Sequence, residues 1–331
     1  MKADAFARDL EQKPATLRDL ADHLDREDPW GALGSRSGPV VFLGMGSSHY
    51  AASVAAARMR ARGVPAVAEL ASSDLLPRVD DDTTVVAVSA SGGSRETLDA
   101  LGRIHARAAE AGARPYVVAL TNVEGSALTE RADLVVPMLA GVEAGGVACR
   151  SFQHTLALLL ALEDRRGGEA AGGTPISGRV RAAADAAADL LAREDDWRPA
   201  VTEALIGPDG SHLAAPARRL SSAQQSALML REGPRVAAVG CETGDWAHVD
   251  VYLTKNTDYR LLLFGGSRWL DGVREWTDPR GTTIVSVGED LETAAVTVRY
   301  TGDDLDDVAL LSETLVPELV AARMWTAQAS T

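Results

Sequence analysis

The sequence predicts an α/β protein built as two halves, each a doubly wound, mainly parallel sheet flanked by helices. Three observations point there. Apolar and β-branched runs at 40–43, 84–89, 116–120 and 134–138 read as strands. Helical patterns at 49–62, 95–112 and 151–163 alternate with them, as parallel βαβ units require. Further strand-like runs near 235–239, 259–264, 283–287 and 295–300 repeat the theme in the second half.

Taken in order, the N-terminus MKADAFARDLEQKPATLRDLADHLD is charged and helical in pattern, so residues 1–30 are expected to be a helical segment and not an apolar signal. The first domain is expected over 31–170. Its first strand, Val40-Val41-Phe42-Leu43, runs into Gly44-Met45-Gly46-Ser47-Ser48-His49. A β-branched run from Thr83 likewise ends in Ser89-Ala90-Ser91-Gly92-Gly93-Ser94-Arg95-Glu96-Thr97, and a helix pattern follows through Leu98, Leu101 and Ile104.

Strand, hydroxyl-rich loop and helix start in that order make an anion site, because a helix N-terminus offers unpaired N–H groups and partial positive charge. The plain alternative is that the serines and Thr97 only cap helices. Two such loops at strand ends point to one shared ligand beyond the carboxyl ends of the strands. Neither loop contains GxGxxG, and GxxxxGK[ST] is absent from the chain, so a P-loop is excluded.

A glycine- and alanine-rich linker at 165–174 precedes an alanine-rich helix near 178–193. The second domain is expected over 171–331. There Leu205-Ile206-Gly207 leads into Pro208-Asp209-Gly210-Ser211-His212, and a helix runs to about Glu232.

Composition narrows the function. With 331 residues and 46% hydrophobic content the chain supports a substantial core, and its net charge of −14 argues against a nucleic-acid surface. The apolar stretch 155–162 is too short to span a bilayer, so a cytoplasmic protein is expected. Lysine occurs only at Lys2, Lys13 and Lys255, which leaves few candidates for imine chemistry. Cys149 and Cys241 fit no metal spacing, and neither a metal nor a cofactor is expected.

These motifs together resemble the sugar isomerase (SIS) domain family, in particular the tandem-SIS isomerase half of glucosamine-fructose-6-phosphate aminotransferases and the stand-alone phosphosugar isomerases and deaminases. GMGSSHYAA at 44–52 is similar to the family's first glycine-serine loop and SASGGSRET at 89–97 to its SxSGx[ST] phosphate loop. The segments 120–138 and 141–162 are similar to the next two family blocks. The resemblance implies that Ser47, Ser48, Ser89, Ser91, Ser94 and Thr97 bind a sugar phosphate. It also implies that Glu232, closing Ala227-Leu228-Met229-Leu230-Arg231-Glu232, is the base at the sugar carbons, with His248 sixteen residues later assisting ring opening.

Glu143 lies in a stretch that in the family runs near the sugar, and its other reading is a loop carboxylate capping backbone N–H groups. Arg150 stands where the family has a lysine, to pair with phosphate or with a surface carboxylate. Asp245 and Asp250 flank His248 and are candidates to orient its ring, against a chance placement in so acidic a chain. His49 and His212, each after a serine, hint at repeat symmetry. Met229 replaces a family lysine, and LVPELVAARMWTAQAST lacks the lysine that forms an imine with a ketose. The expected chemistry is therefore acid–base: proton abstraction at carbon 2 of an aminosugar 6-phosphate, leading to loss of water or, alternatively, to isomerisation or deamination. A phosphosugar sensor is the non-catalytic alternative. The resemblance further implies a homodimer.

Overall fold

The computed structural model describes residues 2–168 and 173–329, so the middle of the expected 165–174 linker lies outside the described residues. The chain divides into two compact units. The first comprises residues 19–142 and 150–178; the second comprises 1–18, Glu143–Cys149 and 179–331. The division therefore does not follow the expected boundaries at 30 and 170. The N-terminal segment up to Arg18 and the loop Glu143–Cys149 cluster with the second unit.

In the first unit five parallel strands, β1 (Val40–Gly44), β2 (Ala66–Leu70), β3 (Thr84–Val88), β4 (Tyr116–Thr121) and β5 (Leu134–Pro137), form a sheet in the order β2-β1-β3-β4-β5. Val40 stands opposite Ala66 on one side and Thr84 on the other. Every residue of β1 and β3 is buried, as central strands covered on both faces must be. Val41, Leu43, Val85, Ala87 and Val117 pack with Leu101 and Ile104 of α4 (Arg95–Glu110). These two side chains are fully buried and sit three residues apart on one helix face, each contributing roughly 1.5–3 kcal/mol. Helix α3 (Ser47–Ala61) packs on β1, on β2 and on α5 (Arg150–Gly167).

The second unit repeats the topology. β6 (Ser211–Ala215), β7 (Ala238–Glu242), β8 (Arg260–Phe264), β9 (Thr283–Val287) and β10 (Val296–Val298) are parallel in the order β7-β6-β8-β9-β10, the same succession as in the first sheet. Its core includes Leu261, Leu263, Ile284, Trp246 and Tyr259. Helix α1 (Ala3–Glu11) packs against α12 (Leu315–Ala329), and α8 (Leu220–Glu232) lies on β6 and β7. Buried ion pairs tie this unit: Lys13 with Glu318, both fully enclosed, Arg219 with Glu313, and Arg179 with Asp307.

Two strands run where the sequence marks none. β2 is an edge strand whose residues are mostly part-exposed, so it lacks an apolar run. β6 is an interior strand of its sheet, yet Ser-His-Leu-Ala-Ala holds no β-branched residue; both neighbouring strands supply the pairing that propensity does not. His212 thus lies inside a strand while His49 lies on α3, and the two are not repeat-related loop positions. Among the described residues no helix is long and apolar enough to cross a membrane.

Candidate active site

In the first sheet the strand order reverses between β1 and β3, so the loops leaving their carboxyl ends flank the crevice where open α/β sheets bind ligands. Those loops are the two serine loops. Helix α3 begins at Ser47 after Gly46, which adopts φ 51°, and has no side-chain cap. Its first N–H groups and the half-buried Ser47 and Ser48 are set out for an anion.

The β3 loop is more self-contained. Ser94 caps α4: its Oγ accepts the Thr97 N–H at 3.3 Å and the Thr97 hydroxyl at 3.1 Å, and donates to Glu96 at 3.1 Å. For Ser94 and Thr97 the capping role is the one observed. The helix start and Ser94 hold the Glu96 carboxyl below its usual range. Ser91 Oγ accepts the Gly93 N–H at 3.3 Å. Ser89 is buried at the strand end, where its N–H donates to Leu120 and its carbonyl accepts from Gly92. Gly92 adopts φ 63°, and a Cβ there would lie 2.1 Å from Ser126 Oγ, so only glycine fits this turn. Ser94→Ala should lower stability by about 1 kcal/mol through loss of the cap, read by urea denaturation.

The acid–base candidates lie in the second unit. Glu232 ends α8 and is half-buried; burial raises its pKa, against which Arg235 and Arg231 pull back. Arg235 adopts φ 63°, a costly conformation for a side chain with a Cβ, three residues beyond this carboxylate. Sequence reasoning passed over both arginines, although they flank the acid on either side. His248 is exposed in the last turn of α9 (Thr243–Val249). Asp250 does not face it: its carboxylate accepts from Cys241 Sγ at 3.8 Å and acts on Tyr259 and His212. The Asp245 N–H donates to Glu242.

Glu143 performs the capping role, its Oε1 accepting the Cys149 N–H at 2.7 Å across its own loop. That loop is held by groups the sequence did not flag. Asp9 accepts the Gly145 N–H at 2.7 Å, the Lys2 N–H donates to the Gly145 carbonyl, and Gln225 of α8 donates to the Ala148 carbonyl at 2.8 Å. The loop therefore leans on the helix that ends in Glu232. Arg150 is buried and donates to the Val142 carbonyl. Among the described residues no group of three or more His, Cys, Asp or Glu side chains is placed to hold a metal ion.

The structure thus sorts the candidates into two sets. The serines and Thr97 gather at the switch point of the first sheet, and Glu143, Glu232 and His248 belong to the second unit. Residues 35–163, which contain both serine loops, match the SIS domain family. That stretch is similar to a SIS domain. Over 261 residues it is 30% identical to glutamine–fructose-6-phosphate aminotransferase [isomerizing] of Aeropyrum pernix, covering 75% of this chain and 41% of that protein. The enzyme of the same description from Mycolicibacterium smegmatis is 27% identical over 281 residues, 77% of this chain and 41% of that protein. The chain therefore spans about two-fifths of the length of these relatives.

Among solved structures, the C-terminal domain of glucosamine-fructose-6-phosphate aminotransferase from Francisella tularensis superposes with a TM-score of 0.81 at 16% identity, covering 97% of this chain and 96% of that one. Tagatose-6-phosphate ketose/aldose isomerase from Escherichia coli gives 0.76 at 15% identity, covering 98% and 93%. At such identity these likenesses establish the fold. It is an α/β fold like theirs, with two parallel sheets of the same strand order.

Proposed function

We propose that this protein is an enzyme acting on an aminosugar 6-phosphate, such as N-acetylglucosamine 6-phosphate, by removing the proton at carbon 2. The observation that carries the phosphate half of this proposal is the meeting of two hydroxyl-lined helix starts at the switch point of the first sheet, with α3 left uncapped. The names of the aminotransferase relatives support the substrate class.

Glu232 is assigned the proton abstraction. A half-buried carboxylate with a raised pKa is a stronger base than a solvated one. The proton passes from carbon 2 to Glu232, and the carbon 2–hydrogen electrons form an enediol or, with a 2-acetamido group, an enol-enamide. In elimination the carbon 3–oxygen bond then breaks, and the hydroxyl leaves as water after taking a proton from His248. In isomerisation the same intermediate takes its proton at carbon 1.

Elimination is favoured over imine-based ketose chemistry because Lys13 is fully enclosed against Glu318 and Lys255 lies over Tyr252 and Trp276. The isomerase or deaminase alternative draws on the names of structural neighbours such as the tagatose-6-phosphate isomerase. A homodimer belongs to the same proposal.

Proton NMR of the protein with N-acetylglucosamine 6-phosphate in deuterated water tests it. An olefinic product is expected. Deuterium at carbon 2 or a ketose without an olefin selects the isomerase, and an unchanged spectrum over a panel of sugar phosphates overturns the enzyme reading in favour of a sensor.

A further inference from the structure

The first unit has another concave surface at the far end of its sheet. A cavity of about 410 Å³ is lined by Arg36, Arg62, Arg165 and Arg166 together with the loop at 34–37. The loop leads into β1, Pro65 leads into β2, and Arg62 and Arg166 sit at the carboxyl ends of α3 and α5. The cavity therefore lies at the amino ends of the strands. The serine loops lie at the carboxyl ends, about 17 Å away along a five-residue strand.

Among the described residues this lining contains no carboxylate, in a chain of net charge −14. Two of the arginines have acidic partners that are not part of this lining: Arg62 pairs with Glu163 and Asp164, and Arg165 with Asp28. Arg36 donates to the Asp81 carbonyl at 3.2 Å and lies 4.3 Å over the Tyr116 ring. Arg166 donates through Nη2 to the Gly38 carbonyl, while its buried Nη1 has no hydrogen-bond partner among the described residues.

Helix carboxyl ends attract cations, which explains an arginine or two at this place. It does not explain Arg36, which is on a loop, nor an Nη1 withdrawn from water and left without an acceptor. A guanidinium presents five N–H donors in a rigid fork suited to phosphate oxygens, and the Arg166 Nη1 still lacks an acceptor among the described residues. A multiply charged anion would supply one.

We propose that this cavity binds a multiply charged phosphate of the pyrophosphate class, at a site separate from the serine loops. Calorimetric titration of the full chain with inorganic pyrophosphate at low ionic strength tests the site. Saturable binding is expected, at least about tenfold weaker in an Arg36→Gln, Arg166→Gln double variant, because two charge-assisted donors are lost. Arg36→Gln alone, on an exposed loop, provides a variant whose fold is secure, and it should also weaken binding. A Ser47→Ala, Ser89→Ala variant should bind pyrophosphate unchanged.

Absence of saturable binding by the wild type overturns the proposal. So does equal binding by the arginine variants, or loss confined to the serine variant. Inorganic phosphate binding as tightly as pyrophosphate also overturns it. A parallel titration with ADP distinguishes sources: tighter binding of ADP assigns a nucleoside diphosphate, and equal binding assigns the pyrophosphate group itself, both on the proposed site.

Discussion

Glu232→Gln is expected to abolish deuterium incorporation at carbon 2 and product formation, with a loss of roughly 10²- to 10⁴-fold in kcat, the contribution typical of a positioned general base. The amide is nearly isosteric with the carboxyl group, so the end of α8 keeps its shape and sugar phosphate binding should stay within a few-fold. The pH profile gives an independent check. Burial raises the Glu232 pKa above its ordinary value of 4.5, so the acid limb of kcat/KM should fall at higher pH than for a solvated carboxylate.

Linkage gives that shift a sign in stability. The folded chain holds this proton more tightly than the unfolded chain does. Glu232 therefore favours folding below the unfolded pKa, and that advantage is lost as pH rises through the folded value. Above the folded pKa the ionised, half-buried group opposes folding, so Glu232→Gln should there be at least as stable as the wild type. A variant that loses activity together with stability would point to a structural role for Glu232, a distinction made by denaturation at pH 5 and pH 7.

Lys13→Met should be the most damaging single substitution for stability, lowering it by about 3–5 kcal/mol, because it leaves a carboxylate buried without its cation. Lys13 and Glu318 are both fully enclosed, and burial already pushes the Glu318 pKa upward against the pull of Lys13. Glu318→Leu should cost a similar amount for the converse reason. The double variant should recover most of the loss, since an apolar pair of similar volume replaces the ion pair without its desolvation penalty. Guanidinium denaturation of the four proteins forms the cycle; additive single effects would show that the two groups act independently.

Strand β3 was legible because Thr84-Val85-Val86-Ala87-Val88 is β-branched and lies between two covered faces, where propensity and environment agree. β6 was not, since Ser211–Ala215 becomes a strand through neighbours distant in sequence. The identity of the common strand order could not be read without those pairings. Glu232 and His248 stood out by their spacing, whereas Gln225 and Asp9 did not. Their partners are backbone groups 77 and 136 residues away, and a side chain that serves a distant carbonyl or amide leaves no local pattern. Ser94 and Thr97 were legible in two ways, as phosphate ligands and as a cap, and only hydrogen-bond geometry separates these.

The packing of α1 against α12 sets a timetable for synthesis. Residues 3–11 are made some three hundred residues before the helix 315–329 on which they pack, although Asp9 can reach Gly145 as soon as the loop 143–149 has emerged. At about 5–20 residues per second a ribosome takes roughly 15–60 s to cover the interval. For that time Phe6 and Leu10, which end fully buried, travel on a nascent chain without α12, whose Trp325 packs on Phe6. The N-terminal helix is thus among the first parts made and the last placed, and the waiting interval is where a chaperone would find this protein.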